Sequence, residues 1–217
     1  LMHLANCTRP DISQAVSSLA RFLKSPTSQH WQAALQLLRY LSGTLALGLL
    51  YSKGGENDGV FRGCCDANHG GDVATRRSTT GFVFVLHGAA VAWQSKLQPT
   101  VALSTTEAEY QAAGTAAREA LWFRKLLPEL GEVIMGPLLI SCDSESVRAL
   151  LRNPMTTQRS KHIDIIHHFC RVLLRQLQYD YVNTTLNWAD CLTKPVPLPK
   201  LLLCVAGMGL GEAEGNI

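Results

Sequence analysis

The stretch TTGFVFVLHGAAVAWQSKLQPTVALSTTEAEY, residues 79–110, decides the fold. Its first half holds two short runs rich in aromatic and β-branched residues, TTGFVFVL (79–86) and AAVAWQS (89–95). His87-Gly88 separates them closely enough for a hairpin. The second half changes pattern. Ser104-Thr105-Thr106-Glu107 has the form of a helix cap, and the Ala-rich stretch behind it is predicted to stay helical to about Leu130, closed by Gly131 and Pro137.

Working outward, FRGCCDA (61–67) is predicted as a third antiparallel strand. Downstream, GPLLISCD (136–143) is a compact apolar run ending in an acid, the pattern of a buried central strand. Residues 144–152 read as a short helix halted by Asn153-Pro154. The basic loop TTQRSKH (156–162) then leads into a helix over 163–177. YDYVN (179–183) reads as a strand, and Ala189-Asp190-Cys191-Leu192 begins a last short helix before Pro195 and Pro197. Strands first and alternation afterwards predict an α/β fold: a mixed sheet with helices on both faces.

Residues 1–50 read as a helical extension. Asp11 is placed to cap a helix carrying Ile12, Val16, Leu19 and Leu23 at helical spacing, broken at Ser25-Pro26-Thr27. A second helix follows with Trp31, Leu35, Leu38 and Leu41, ending near Gly43. SKGGENDG (52–59) is a linker or hairpin loop. The expected divisions are therefore 1–50, a main domain at 56–197, and a C-terminal tail at 198–217.

Hydrophobic residues make up 47% of the 217 and charged residues 17%, which allows a packed core and argues against disorder. A net charge of +3 is compatible with a polyanionic partner without arguing for one. Seven cysteines form no C-x-x-C pair, so reduced structural thiols in an intracellular protein are expected. No apolar stretch approaches the roughly 20 residues that span a bilayer. The start, LMHLANCTRPDI, has neither an initiator Met nor a signal-peptide pattern, and a piece of a longer chain is expected.

Four acids fall at strand ends and helix openings: Asp66, Glu107, Asp143 and Asp190. Carboxylates gathered at such a rim can hold hard cations, and two ions about 4 Å apart can activate water and stabilise a leaving phosphodiester oxygen. Seventeen acids in a chain this size also put several at such places by chance, so spacing alone leaves the question open.

The surroundings of these acids resemble the ribonuclease H domain of copia-type retrotransposon polyproteins. The matching stretches are CDANHGGD (65–72), residues 76–110, CDSESVRALLRNP (142–154), RSKHIDIIHHF (159–169) and WADCLTKP (188–195). TRPDISQAVSSLARFLKSPTSQHWQAALQLLRYLSGT (8–44) looks like the tail of the reverse transcriptase that precedes the nuclease in these polyproteins. The resemblance implies a ribonuclease H-like fold, cleavage of the RNA strand of RNA–DNA hybrids, and two Mg²⁺ ions, or Mn²⁺, as cofactors. It implies the reverse transcriptase portion of the same polyprotein as a partner, no membrane, and a cytoplasmic virus-like particle or the nucleus as the setting. A copy that binds hybrid or polymerase without cutting is the alternative.

The resemblance assigns Asp66, Glu107, Asp143 and Asp190 as metal-holding catalytic residues, Glu107 being the first glutamate of the S-T-E-A-E-Y motif. Glu109 sits about 200° further round the helix, so the two glutamates cannot share one site. The family's D-A-D-W run is here Asp66-Ala67-Asn68-His69, and its C-D-N-x-S is Cys142-Asp143-Ser144-Glu145-Ser146. Arg159, Lys161 and His162 read either as phosphate contacts or as a solvated loop with a capping His. Arg76, Ser78 and Thr79, with Arg77, read either as sugar-phosphate contacts or as ordinary surface. Trp93, Trp122 and Trp188 are expected in the core.

Overall fold

The computed structural model of the chain describes residues 1–52, 59–134, 136–152 and 176–212, without the side chains of 149–152. The predicted loop at 156–162 and the predicted helix at 163–177, up to residue 175, lie outside the described residues.

Three short helices come first: α1 (Met2–Cys7), α2 (Ser13–Ala20) and α3 (Ser28–Ser42). They are followed by β1 (Leu47–Leu49), β2 (Arg62–Asn68), β3 (Thr79–Leu86) and β4 (Ala89–Leu97). After the 25-residue α4 (Thr105–Glu129) come β5 (Leu138–Cys142), α5 (Glu145–Arg152) and β6 (Leu177–Tyr181). The described part closes with α6 (Asp190–Thr193), α7 (Leu198–Gly207) and β7 (Leu210–Glu212).

The main sheet has the order β4-β3-β2-β5-β6. β2, β3 and β4 pair antiparallel, as the hairpin pattern predicts, whereas β5 joins β2 in parallel and β6 joins β5 in parallel. This is the mixed sheet expected from the order of elements. β3 is buried along its whole length, and alternation sends its side chains to opposite faces. Phe82, Phe84 and Leu86 pack under α4 with Cys65, Tyr110 and Ile140. Val83 and Val85 pack on the other face with Leu192, Cys204 and Met208 from the two last helices.

The N-terminal helices form their own small core around Ile12, Val16, Leu37 and Leu41, and Trp93 Nε1 on β4 donates to the Ala5 carbonyl at 2.7 Å. Asp11 is no helix cap here. It is buried, holds the Arg9 guanidinium through both carboxylate oxygens at 2.9 and 2.7 Å, and accepts from the Tyr40 hydroxyl. Trp122 is not core either, being 53% exposed.

The segment from 198, expected as a tail, carries α7 and β7. Pro197, which reads as an end to structure, instead caps a helix, and Pro199 sits in its first turn, where no amide donor is needed. β7 pairs antiparallel with β1, so a two-stranded ribbon joins the last described residues to residues 47–49.

Candidate metal centre

The parallel register of β2 and β5 ends with Cys64 opposite Ser141. Two residues further on, on the same side of each strand, stand Asp66 and Asp143. Asp190 reaches the same place from the start of α6. Each of these three aspartates offers one carboxylate oxygen, and the three atoms lie within 4.8 Å of one another. Asp66 and Asp190 are buried and Asp143 is partly so.

Asp190 is positioned by two residues that sequence reasoning missed. Asn187 is fully buried, donates to the Cys65 carbonyl at 3.1 Å and accepts the Ala189 amide, so the turn before Asp190 is fastened to β2. Lys200 Nζ lies 3.0 Å from Asp190 Oδ2 and donates to the carbonyls of Thr184, Thr185 and Asn187. Both residues donate to backbone carbonyls that come within reach only in the folded chain.

Among the described residues the glutamate buried close to Asp66 and Asp143 is Glu109, whereas Glu107 is not drawn into that group. Ser104 Oγ accepts the Glu107 amide, and the Glu107 carboxylate accepts the Leu103 amide at 2.7 Å, so Glu107 is occupied in capping α4. Glu109 lies on the buried side of that helix. Burial, followed by the charges of Asp66 and Asp143, pushes its carboxyl up to about 9, although the Ala67 amide donates to it. Glu109 Oε2 is buried with no hydrogen-bond partner. The cap-like Ser-x-x-Glu pattern carried the signal that Glu107 was already engaged.

Burial also pushes the Asp66 carboxyl up to about 6, against the pull of the Lys194 ammonium and the Thr193 hydroxyl that donates to Asp66 Oδ2. Lys194 Nζ stands 2.6 Å from Asp190 Oδ1 and 3.5 Å from Asp66 Oδ2. Burial works against its charge, yet the two aspartates hold its pKa above the ordinary lysine value. An all-oxygen donor set, an unpartnered buried carboxylate oxygen and an ammonium drawn between two acids together fit a hard divalent cation.

The other predicted contacts separate. Ser78 is fully buried and its Oγ accepts the Gly70 amide, while Thr79 is 9% exposed at the start of β3, so neither side chain is offered to a substrate. Thr79 opens the strand that is enclosed on both faces, and Ser78 just ahead of it is held inward by the Gly70 amide. Arg76 is exposed, on a backbone with φ of 56°. Arg159, Lys161 and His162 lie outside the described residues.

No family model matches the chain. It is 42% identical over 212 residues, 97% of its length, to the retrovirus-related Pol polyprotein from transposon TNT 1-94 of Nicotiana tabacum. It is 38% identical over 191 residues, 87% of its length, to the retrovirus-related Pol polyprotein from transposon RE2 of Arabidopsis thaliana. The alignments span only 16% and 13% of those polyproteins. Among solved structures it is similar to RNase H1 of the halophilic archaeon Halobacterium salinarum, with a TM-score of 0.46 and 20% identity, over 61% of this chain and 93% of that one.

Proposed function

Because the chain belongs to the Pol polyproteins of copia-type retrotransposons, we propose that it hydrolyses the RNA strand of RNA–DNA hybrids at the carboxylates Asp66, Glu109, Asp143 and Asp190. The observation that carries the reading is the convergence of three aspartates from β2, the end of β5 and α6 within 4.8 Å, beside a buried glutamate. Lys194 and Lys200 offset part of the repulsion within this cluster, and a bound cation would relieve the rest, including that on Glu109. No helix among the described residues is long and apolar enough to cross a membrane.

Asp66, Asp143, Asp190 and Glu109 would hold Mg²⁺ or Mn²⁺. Two such ions would supply an acidified water and a counter-charge for the leaving 3′ oxygen. The chain's own part is preorganisation. Thr193 fixes one oxygen of Asp66, Lys200 fixes one of Asp190, and the Ala67 amide holds Glu109. Lys194 keeps positive charge between Asp66 and Asp190, which stops the carboxylates from splaying apart. On this reading the chain works beside the reverse transcriptase portion of the same polyprotein, in a cytoplasmic virus-like particle or the nucleus.

The test is cleavage of an end-labelled RNA–DNA hybrid with Mg²⁺ by the parent chain, Asp66→Asn and Glu109→Gln. Cleavage by the parent alone is expected. A folded parent that binds hybrid and leaves it uncut would make the chain a non-cutting module instead. Equal cutting by all three would move the site elsewhere.

A further inference from the structure

α4 carries a line of side chains that the carboxylate site does not use. Gln111, Thr115, Arg118, Trp122 and Lys125 recur at intervals of four and three, which puts them on one stripe of the helix. The stripe starts half-buried at Gln111, about 200° round the helix from Glu109, and becomes exposed from Arg118 onward. From Gln111 to Lys125 it runs about 21 Å, at about 1.5 Å per residue.

Its first half forms one wall of a cleft of about 350 Å³, whose other wall is the edge strand β4 with Gln94 and Lys96. The floor is tied to the carboxylate site. Gln98 is 3% exposed, and its Nε2 donates to Thr80 Oγ1 and to the carbonyl of Ala108, the neighbour of Glu109. Thr80 in turn pairs with Ala67, the neighbour of Asp66. The cleft therefore rests on the same helix and strand pair that carry Glu109 and Asp66.

Its chemistry is cationic, amide-rich and aromatic. Lys96, Arg118 and Lys125 form no ion pair among the described residues, and Arg118 Nη2 donates only to Thr115 Oγ1, at 3.5 Å. Trp122 offers an indole that is 53% exposed, one turn beyond Arg118. The adjacent acid, Glu119, lies about 100° round the helix from Arg118. Fixed cations followed by an exposed aromatic ring suit a phosphodiester chain whose bases are free to stack, and a closed duplex offers no such base.

We propose that this cleft and ridge bind single-stranded nucleic acid continuing from a hybrid held at the carboxylates. Lys96 and Arg118 meet its phosphates, and Trp122 stacks on an unpaired base. The location of the hybrid rests on the function proposed above; the ridge itself does not.

Binding is measured by fluorescence anisotropy in EDTA, so that cleavage plays no part. The probes are a blunt hybrid and the same hybrid with a single-stranded RNA or a single-stranded DNA overhang. For the full chain, an overhang is expected to raise affinity about tenfold or more, as stacking and phosphate contacts of this kind do. Trp122→Ala should lose roughly that gain. Lys96→Gln with Arg118→Gln should lower the slope of log affinity against log salt by about 0.7 per side chain on overhang probes, and leave the blunt hybrid unchanged. Comparing the two overhangs shows which strand the ridge takes, and a gain from either supports it. An overhang that adds nothing to the parent's affinity, or variants that bind overhang probes as the parent does, overturns it. A parent that fails to cut hybrid yet shows the overhang gain keeps the ridge and removes the nuclease. A parent that cuts and gains nothing does the reverse.

Discussion

Asp66 and Gly81 stand opposite each other across the β2–β3 pairing, and the space a Gly81 side chain would fill is taken by α6. A Cβ there would lie 2.6 Å from Thr193 Cγ2 and 2.9 Å from Leu192 Cβ. α6 carries Asp190 at its first position and Thr193, the donor to Asp66, at its last. The bare strand surface at Gly81 thus sets the distance between two of the acids. Gly81→Ala should destabilise the fold by about 1–3 kcal/mol, as overpacking does. It should slow hybrid cleavage about a hundredfold, as a displacement of about 1 Å does. Thermal unfolding and cleavage rates read the two effects, and a folded variant that cuts at the parental rate would show that this seating does not govern the site.

Glu107 and Glu109 should part company under mutation. Glu107→Ala removes a cap contact and should cost about 1 kcal/mol of stability while leaving most of the cleavage rate. Glu109→Gln should keep the fold and lower cleavage beyond the 10- to 100-fold that supporting residues of a metal site typically cost. The opposite ranking of the two variants would return the site to Glu107.

Stability without metal should fall as pH rises. The folded chain holds the Glu109 carboxyl at about 9 and the Asp66 carboxyl at about 6, both above their ordinary values. Between the ordinary carboxylate range and these values the folded state keeps protons that the unfolded state has released, so each rise in pH favours unfolding. The stabilising effect is complete below about pH 4 and is lost through pH 9. In EDTA the melting temperature should drop from pH 5 to pH 9, and Glu109→Gln should flatten the curve and raise stability at pH 8. A parental melting temperature independent of pH over that window would contradict the burial of these acids.

The Arg9–Asp11 pair should matter more than its place in the N-terminal extension suggests. Both residues are buried, and Arg9 also donates to the Thr44 carbonyl at 3.0 Å. Arg9→Met leaves the Asp11 carboxylate uncompensated apart from Tyr40 and should cost about 3–5 kcal/mol in urea unfolding. Replacing both partners, Arg9→Met with Asp11→Leu, should recover part of that loss. A loss under 1 kcal/mol for Arg9→Met would mean that this buried pair contributes little to the fold.

The sheet was legible in the sequence because its determinants are local. The runs around His87-Gly88 are rich in aromatic and β-branched residues and turn tightly, and the acid-ended run at 136–143 reads as a central strand. Three of the four expected acids meet for the same reason, since each closes or opens an element at one rim. What failed depended on which way a residue turns. Glu109 and Glu107 are two positions apart, and only the packing of α4 tells which faces inward. Trp122 sits between Leu121 and Phe123 in an apolar run, yet helical period turns it outward while Ala120 and Phe123 face the core. Asn187 and Lys200 act on carbonyls brought near by tertiary structure, a pairing no spacing announces.

The ribbon of β1 and β7 bears on the order in which the molecule is made. Leu49 pairs with Leu210, and Leu50 donates to the Gly209 carbonyl, so the strand that follows the N-terminal helices finds its partner among the last residues described. A ribosome delivers one long before the other. Throughout synthesis β1 must wait with its edge open, exposed to whatever other strand the nascent polypeptide offers. The ribbon closes only when residues 210–212 have been made, so of the described elements it is the late strand and not the early one that completes this pairing.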